Sequence, residues 1–252
     1  MKRLIFSIFI LVLASANWIS AITLPNEDLK YKVTYKWGLI NTQAGRATLS
    51  LRSDGKKYKS TLIARTEPWA DRIFSIRDTL QGDMNLDFSP TKYVKIAHEN
   101  GKYIREQIDY IVVGNNYTGN CSRYRIRKGD TDFSTELRTI SATGTTVDMI
   151  SVFYYLRTLD FPSMTKDESM RINIFSGKKK ELLNIRFEGN KTIEIDGKKY
   201  NTYHLIFKFA SEDGKKSSDD IDTWISADNR RIPIKLEGCL PIGKIRCLYI
   251  GG

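Results

Sequence analysis

The sequence predicts an all-β, mainly antiparallel protein: a large curved sheet or open barrel of about 14 strands, with one helix covering its concave side. The first observation behind this prediction is that polar and apolar residues alternate with a period of two from Leu29 onward. The second is that dipeptides typical of tight hairpin turns, such as Asp54-Gly55 and Asn100-Gly101, separate the alternating runs. The third is that the sequence lacks the series of crossover helices that a parallel sheet requires.

Residues 1–21 have the features of a secretory signal peptide. Two basic residues precede an apolar run from Leu4 to Ala14, and small residues follow it. The run is shorter than the roughly 20 residues that cross a bilayer, and no second run of this kind follows. We therefore expect export, cleavage after Ala16 or Ala21, and no transmembrane segment in the mature chain.

Residues 22–252 are predicted to form a single β-rich domain with a basic surface. Loss of Lys2 and Arg3 with the leader lowers the formal net charge from +11 to +9. In an exported protein, such a charge favours phospholipid headgroups, lipopolysaccharide or acidic glycans as partners, and we expect no nucleic-acid partner.

The first half of the chain is predicted to be an antiparallel meander. The segment LKYKVTYKW alternates Leu29, Tyr31 and Val33 with lysine and threonine, as expected of a strand with one buried face and one solvated face. Similar patterns follow at 44–52, 57–65, 72–80, 92–98, 102–113 and 117–127.

One helix is predicted between the two halves, over residues 146–160. Thr145 and Asp148 have the spacing of a capping box, and Pro162 follows the end of the segment. Apolar residues fall on one face of this helix, at Met149, Val152, Phe153, Leu156 and Leu159. The apolar face must be buried, so the helix is expected to cover the concave side of the sheet, either filling it or leaving an apolar cavity.

The strand pattern resumes after the helix. Turns are predicted at Gly189-Asn190, Asp196-Gly197, Asp213-Gly214 and Asp228-Asn229. The runs that these turns separate lie at 170–176, 181–188, 191–196, 200–210, 220–226, 230–237 and 244–250.

The segment CLPIGKIRC suggests a hairpin centred near Gly243. That register would place Cys239 opposite Cys247, where a disulfide can form, and the alternative is two free buried thiols. Cys121 is expected to be a small core residue.

The sequence shows no pattern of residues for catalysis, for a cofactor or for a metal. The two histidines, His98 and His204, each lie within a strand pattern and have no ligands at metal spacing. The acidic group of Asp219, Asp220 and Asp222 lacks the glycine-containing loop of a calcium site, and a solvated turn is the simpler interpretation. We therefore predict that the protein is not an enzyme.

A short basic ladder is the strongest local charge pattern. On a strand, Arg123, Arg125 and Arg127 would share one face and could hold phosphate or sulfate groups. The alternative is a solvated strand face whose charges oppose edge-to-edge aggregation.

The order of several segments resembles an exported bacterial family known as domain of unknown function 3108 (DUF3108). These segments are KWGLINTQAGRATL, FSIRDTLQGDMNLDFSPTKY, DMISVFYYLRTLDF, IEIDGKKYNTYHLIFKF and TWISADNRRIPIKLEGCLPIGKIRCLY. The most informative matching residues are Gly38, Gly45, Asp78, Asp148, Tyr155, Arg157, Trp224, Asp228, Pro233 and Gly243.

The resemblance implies a curved antiparallel sheet, similar in style to periplasmic carriers of lipoproteins and lipids, in the periplasm or outer envelope of a Gram-negative bacterium. It implies no reaction. For the matching residues we expect structural roles: Gly38 and Gly45 at a bend or bulge, Pro233 at an edge or bulge, and Asp148 as the helix cap. Arg157 would pair with an acidic residue of a neighbouring strand or with the anionic head of a ligand.

Two hypotheses follow. In the first, the protein is a non-catalytic binding or carrier module for an apolar or lipid-like ligand, bound through Phe153, Tyr154 and basic residues including Arg157. In the second, it is a fully packed structural component of the envelope that contacts another protein, lipopolysaccharide or glycan.

Overall fold

The computed structural model describes residues 23–177, 179–212, 219–239 and 243–252, which form one continuous sheet of 15 strands. The first eight strands are β1 (Glu27–Trp37), β2 (Ile40–Ser53), β3 (Tyr58–Thr66), β4 (Ile76–Met84), β5 (Pro90–Glu99), β6 (Lys102–Val113), β7 (Asn116–Ile126) and β8 (Phe133–Thr143). The remaining seven are β9 (Thr146–Asp148), β10 (Ser169–Phe175), β11 (Lys180–Ile195), β12 (Lys198–Ala210), β13 (Ile221–Ser226), β14 (Pro233–Cys239) and β15 (Lys244–Gly251).

The strand order confirms the predicted meander. It runs from β8 down to β1 and continues from β15 down to β9, so the first and last strands of the chain pair at the centre of the sheet. Every neighbouring pair is antiparallel except β9 and β10, which are parallel. The two edge strands, β8 and β9, follow one another in the chain.

The sheet curls until its two edges overlap, which gives a nearly closed, barrel-like molecule. Phe175 of β10 stacks on Tyr110 of β6 with their ring centroids 5.7 Å apart. At the end of β8, the side-chain amide of Asn173 in β10 donates a hydrogen bond of 3.0 Å to the carbonyl of Thr143. Side-chain packing therefore completes the enclosure where the β ladder stops.

A short helical segment occupies part of the concave side, as the sequence predicts. Helix α2 spans Ser151–Tyr155 and continues into a 3₁₀ turn at Leu156–Thr158; the chain also has a one-turn helix α1 at Pro68–Asp71. The helical span is shorter than the predicted 146–160 because Thr146–Asp148 pairs with β10 as a strand. Leu159, at the other end, has an extended backbone.

The segment from Met149 to Leu159, which we call the plug, is buried between two halves of the core. Ile150 lies against β4 at Gly82, where a Cβ atom would come within 2.6 Å of the Ile150 Cγ2 atom. The Tyr154 hydroxyl is hydrogen-bonded to the Ser60 hydroxyl at 2.8 Å. Met149 and Phe153 contact both apolar clusters of the core. The plug therefore joins the two meanders.

Asp148 caps the plug from inside the core. One of its carboxylate oxygens accepts hydrogen bonds from the amides of Ile150 and Ser151, at 2.9 and 2.8 Å. The Ser151 hydroxyl in turn accepts a hydrogen bond of 2.8 Å from the Asp148 amide. The expected role of Asp148 as a cap is confirmed. The reciprocal hydrogen bonds of the capping box, however, join Asp148 to Ser151 and not Thr145 to Asp148 as predicted.

A buried ion pair fixes the other end of the plug. The Arg157 guanidinium donates to the Glu27 carboxylate of β1, and the two side chains are only 1% and 4% exposed. The same guanidinium donates to the carbonyl of Arg230 at 2.8 and 3.2 Å. Because a buried charge is stable only when paired and hydrogen-bonded, these contacts determine where the plug can lie.

Two of the matching residues have the roles expected of them. Gly45 follows a register shift between β1 and β2, and a Cβ atom there would come within 2.6 Å of the Arg65 carbonyl oxygen. Pro233 lies at the register shift between β13 and β14. Both residues therefore occur where the regular ladder is interrupted.

Three differences from the sequence analysis concern the strands. The predicted turn at Gly189-Asn190 is an irregularity within the continuous strand β11. The predicted strand at 72–80 is β4, which begins at Ile76 after the α1 turn. Strand β8 was not predicted, because most of its residues are exposed and it lacks apolar alternation.

The predicted signal peptide, 1–21, lies outside the described residues. Within the described part of the chain, no helix has the length and apolar character needed to span a membrane.

The buried ion pair leads to a stability prediction. Replacement of Arg157 by Met removes the close partner of the buried Glu27 carboxylate and leaves it only the Arg230 guanidinium, 3.8 Å away. We therefore expect a loss of up to about 3–5 kcal/mol in the free energy of unfolding. Denaturant unfolding of the purified protein measures this loss. The matched control is Lys92→Met, which removes an ion pair with Asp109 whose side chains are 45% and 55% exposed. That change should cost less than about 1 kcal/mol. Equal losses in the two variants would contradict the role assigned to Arg157.

Candidate functional site

An apolar cavity of about 270 Å³ lies between the plug and the concave face of the sheet. Its walls come from β1, β2, β3, β14 and β15, and Phe153 of the plug closes one side. The cavity extends from Tyr31 and Leu49, near the middle of their strands, to Thr66 and Ile76, where β3 ends and β4 begins. It therefore reaches the end of the barrel that carries the β1–β2 turn and the β3–β4 connection.

Small residues on neighbouring strands create this space. Ala47 of β2 pairs with Ala64 of β3 on one side and with Tyr31 of β1 on the other. Gly45 pairs with Thr66 and Val33 one step closer to the strand ends. Larger side chains at Ala47 or Ala64 would extend into the space next to Phe153, whereas a Cβ atom at Gly45 would meet the Arg65 carbonyl. The cavity thus follows from the sequence of β2 and β3, because their inward residues cannot reach the plug.

Tyr31 lines the cavity with its ring, while its hydroxyl is buried within the wall. The residue is 5% exposed, and within the described part of the chain its hydroxyl has no hydrogen-bond partner. Burial raises the pKa of the phenol well above its ordinary value, so the hydroxyl stays protonated and can donate. Because the wall shields this hydroxyl, the cavity presents an apolar surface to a ligand.

Cys247 also lines the cavity and behaves as a small apolar residue. Burial raises the pKa of its thiol to about 11, so the thiolate form is scarce at neutral pH. The same cause raises the pKa of the Cys121 thiol to about 11. The expectation that Cys121 is a small core residue is confirmed by its burial among core side chains.

The register of the last hairpin differs from the one predicted for the two cysteines. Cys239 is opposite Lys244 and Cys247 is opposite Leu236, and both thiols are free. An offset of three residues corresponds to about 10 Å along a strand, which is too far for a disulfide. The predicted disulfide between Cys239 and Cys247 is therefore wrong in this structure.

Three residues of the plug were predicted to bind a ligand, and only one of them lines the cavity. Phe153 lines it directly. Tyr154 points away and is fully buried, stacked on Phe88 with ring centroids 6.0 Å apart. Arg157 had been expected to pair with an acidic strand residue or with the anionic head of a ligand. In the structure it pairs with Glu27 of β1.

The predicted arginine ladder lies on β7, which does not line the cavity, and only Arg123 and Arg125 are within that strand. Arg123 is opposite Glu106 in the neighbouring strand, and their ion pair measures 2.9 Å. Arg125 is half-buried, and Arg127 is exposed beyond the end of β7. None of the three lines the cavity. A role for them in binding an anion stays a prediction.

Both histidines have side-chain partners within the sheet. His204 and Asp222 are hydrogen-bonded at 2.7 Å, and the His204 ring stacks on Trp224 with centroids 4.6 Å apart. His98 packs on Tyr103. In the part of the chain that the structure describes, no three His, Cys, Asp or Glu residues form a group able to hold a metal ion.

Sequence reasoning missed the residues that define the cavity. No motif links these residues, which are Tyr31, Ala47, Ala64 and Cys247, and the first and last of them are more than two hundred positions apart. The available signal was the run of small residues in QAGRATL, followed on the next strand by Ala64. Small residues at inward positions of adjacent strands indicate space beneath a plug.

The chain matches the family model described as "Protein of unknown function (DUF3108)" over residues 30–248. Among solved structures it is similar to a β-barrel-like protein of domain of unknown function DUF1849 from Brucella abortus, with a TM-score of 0.61 and 10% sequence identity. The alignment covers 91% of this chain and 97% of that chain. At this identity the similarity concerns the fold alone. No curated protein matches the chain.

The cap of the plug leads to a pH prediction. Burial raises the pKa of Asp148 to about 6, although hydrogen bonds from the Ser151 and Ile150 amides oppose the shift. An unfolded aspartate titrates near 3.9, so between about pH 4 and 6 the folded state binds more protons than the unfolded state. The contribution of this group to the free energy of unfolding therefore falls as the pH rises, by on the order of 2–3 kcal/mol.

Asp148→Asn keeps an oxygen acceptor for the two amides and removes the titration. We expect the stability of the variant relative to the wild type to increase between pH 4 and pH 7, as measured by urea unfolding at several pH values. Asp148→Ala, the control, lacks the cap at every pH and should lose about 1 kcal/mol in addition. A pH-independent difference between the wild type and Asp148→Asn would contradict the assignment.

Proposed function

We propose that this chain, which belongs to the DUF3108 family, is a non-catalytic binding or carrier module of the bacterial envelope for an apolar or lipid-like ligand with an anionic head. The observation that carries the proposal is the apolar cavity of about 270 Å³ between the plug and the sheet. Its size is close to the lower end of the range of about 300–1,000 Å³ that is usual for small-molecule sites.

The chemistry of the cavity favours an aliphatic chain. Its walls consist of aliphatic and aromatic side chains such as Leu49, Leu62, Leu236 and Phe153. Each methylene group moved from water into such a site contributes about 0.8 kcal/mol.

Basic residues near the end of the cavity support an anionic head that lies outside it. Arg46 and Arg65 form a cross-strand pair between β2 and β3, on the face opposite Ala47 and Ala64. Arg46 also pairs with Glu67, while Arg65 is exposed. A phosphate or carboxylate at this end of the barrel would lie in a positive potential.

The proposed location is the periplasm or outer envelope, following export directed by residues 1–21. This location is consistent with the ligand class, because amphiphilic lipids are moved between the membranes of the envelope. The cavity favours the carrier over the alternative of a structural component, since the latter requires a fully packed interior.

The first experiment identifies a bound molecule. The protein is expressed with its leader, purified from the periplasmic fraction, extracted with organic solvent and analysed by mass spectrometry. We expect a lipid or fatty acid in near-stoichiometric amount. An extract without lipid, from protein that also binds no fluorescent fatty acid, would contradict the proposal.

The second experiment fills the cavity. Ala64→Phe places a ring in the space beside Phe153, and we expect it to weaken the binding of a fluorescent fatty acid by at least about tenfold, or about 1.4 kcal/mol. Ile63→Phe is the matched control, because Ile63 is the neighbouring residue on the exposed face of β3. The control should bind as the wild type does.

Thermal unfolding of both variants checks that each is folded. Filling an existing space should leave the unfolding temperature of Ala64→Phe unchanged or higher. Wild-type affinity in folded Ala64→Phe would show that the fatty acid binds elsewhere and would contradict the assignment of this cavity.

A further inference from the structure

Five large apolar side chains are exposed together at one end of the barrel. Their exposures run from 39% for Trp69 to 105% for Leu39. We call this group the apolar rim: Trp37, Leu39, Trp69, Ile73 and Phe74. Single exposed apolar residues are ordinary on protein surfaces, but a group with two tryptophans and a phenylalanine calls for a partner.

Two connections carry the rim, and both lie at the end that the cavity reaches. Trp37 is the last residue of β1 and Leu39 lies in the β1–β2 turn, and the other three belong to the connection between β3 and β4. The cavity-lining residues Thr66 and Ile76 are the ends of that same connection. The Trp69 indole donates a hydrogen bond of 2.8 Å to the Gln43 carbonyl, which ties the connection to β2. The rim therefore borders the cavity.

The charges around the rim are mainly positive. Residues 33–46 and 64–77 contain five lysines and arginines and two acidic residues. The two carboxylates, Glu67 and Asp71, pair with Arg46 and Arg77. Lys36, Arg65 and Arg72 are exposed beside the apolar side chains. These two segments therefore carry a net positive charge.

We propose that the apolar rim docks this protein on an anionic lipid bilayer surface. Tryptophan and phenylalanine are favoured at the boundary between headgroups and acyl chains, and basic residues next to them are attracted to anionic headgroups. Docking would place the end of the cavity against the headgroups, where an acyl chain can pass from the bilayer to the protein. This last step rests on the proposed function, whereas docking itself does not.

A bilayer fits this surface better than a protein partner does. The rim is made of two loop tips at the end of a barrel, and loop tips can insert between headgroups without a complementary surface. The positive charge would oppose self-association through this end, because two copies would bring like charges together.

Sedimentation with lipid vesicles tests the proposal. We expect the purified protein to bind vesicles of phosphatidylethanolamine with phosphatidylglycerol, to bind vesicles of phosphatidylcholine alone more weakly, and to lose affinity in high salt. Combined Leu39→Gln, Ile73→Gln and Phe74→Gln should weaken binding by at least about tenfold, since each side chain buried in the interface contributes to affinity.

The matched control replaces three equally exposed apolar residues elsewhere. Ile111, Val113 and Leu137 are 55%, 69% and 79% exposed on β6 and β8, away from the rim. Their combined replacement by Gln should leave vesicle binding unchanged. Brominated lipids give a second readout, because they should quench Trp37 and Trp69 in the wild type while the buried Trp224 stays unquenched.

The outcomes separate docking from ligand binding. The rim variant should still bind a fluorescent fatty acid in solution, and Ala64→Phe should still bind vesicles. Failure of the wild type to bind any vesicle, or equal losses in the rim and control variants, would overturn the docking proposal and leave the cavity proposal standing. Vesicle binding without fatty-acid binding would do the reverse.

Discussion

The structure depends on how the inner face of a strongly curved sheet is covered. A meander of 15 strands that curls until its edges overlap encloses an apolar interior, and the plug occupies part of it. The plug can do so only if its own polar groups are satisfied inside the protein. At the start of the plug, Asp148 accepts hydrogen bonds from two amides. At the end of the plug, the Glu27 carboxylate neutralises Arg157, and the Arg230 carbonyl accepts hydrogen bonds from it. These two polar contacts fix the position of an otherwise apolar segment.

The same arrangement explains why an apolar space remains on one side of the plug. Phe153 faces Ala47 and Ala64, which are too small to meet it, whereas Ile150 faces Gly82 in direct contact. The plug thus contacts β4 at Gly82 and β3 at Ser60, and it leaves a space only where Phe153 lies opposite Ala47 and Ala64. A filled interior would require only slightly larger residues on two strands, so the space is a property of the inward positions of β2 and β3 and not of the overall fold.

The cavity and the apolar rim share a structural origin. The β1–β2 turn and the β3–β4 connection bound the strands that line the cavity, so residues placed on these connections necessarily surround its end. Exposure of these apolar side chains to water is unfavourable, and it does not stabilise the folded monomer. The two ends of the barrel therefore differ. One end contains the buried Arg157–Glu27 ion pair, and the other carries exposed apolar and basic residues.

By itself the sequence determined the all-β class, most strands of the meander, the existence of one helix and the family match, because these depend on local alternation, turn residues and the order of segments. It did not reveal β8, whose exposed residues lack alternation, or the register of the last hairpin. Only the tertiary structure decided which inward residues meet the plug, that Arg157 pairs with Glu27 across 130 positions of the chain, and that two separate connections form one rim. The physical reason is that curvature and overlap of the sheet bring these residues together, and neither curvature nor overlap is encoded in any single segment.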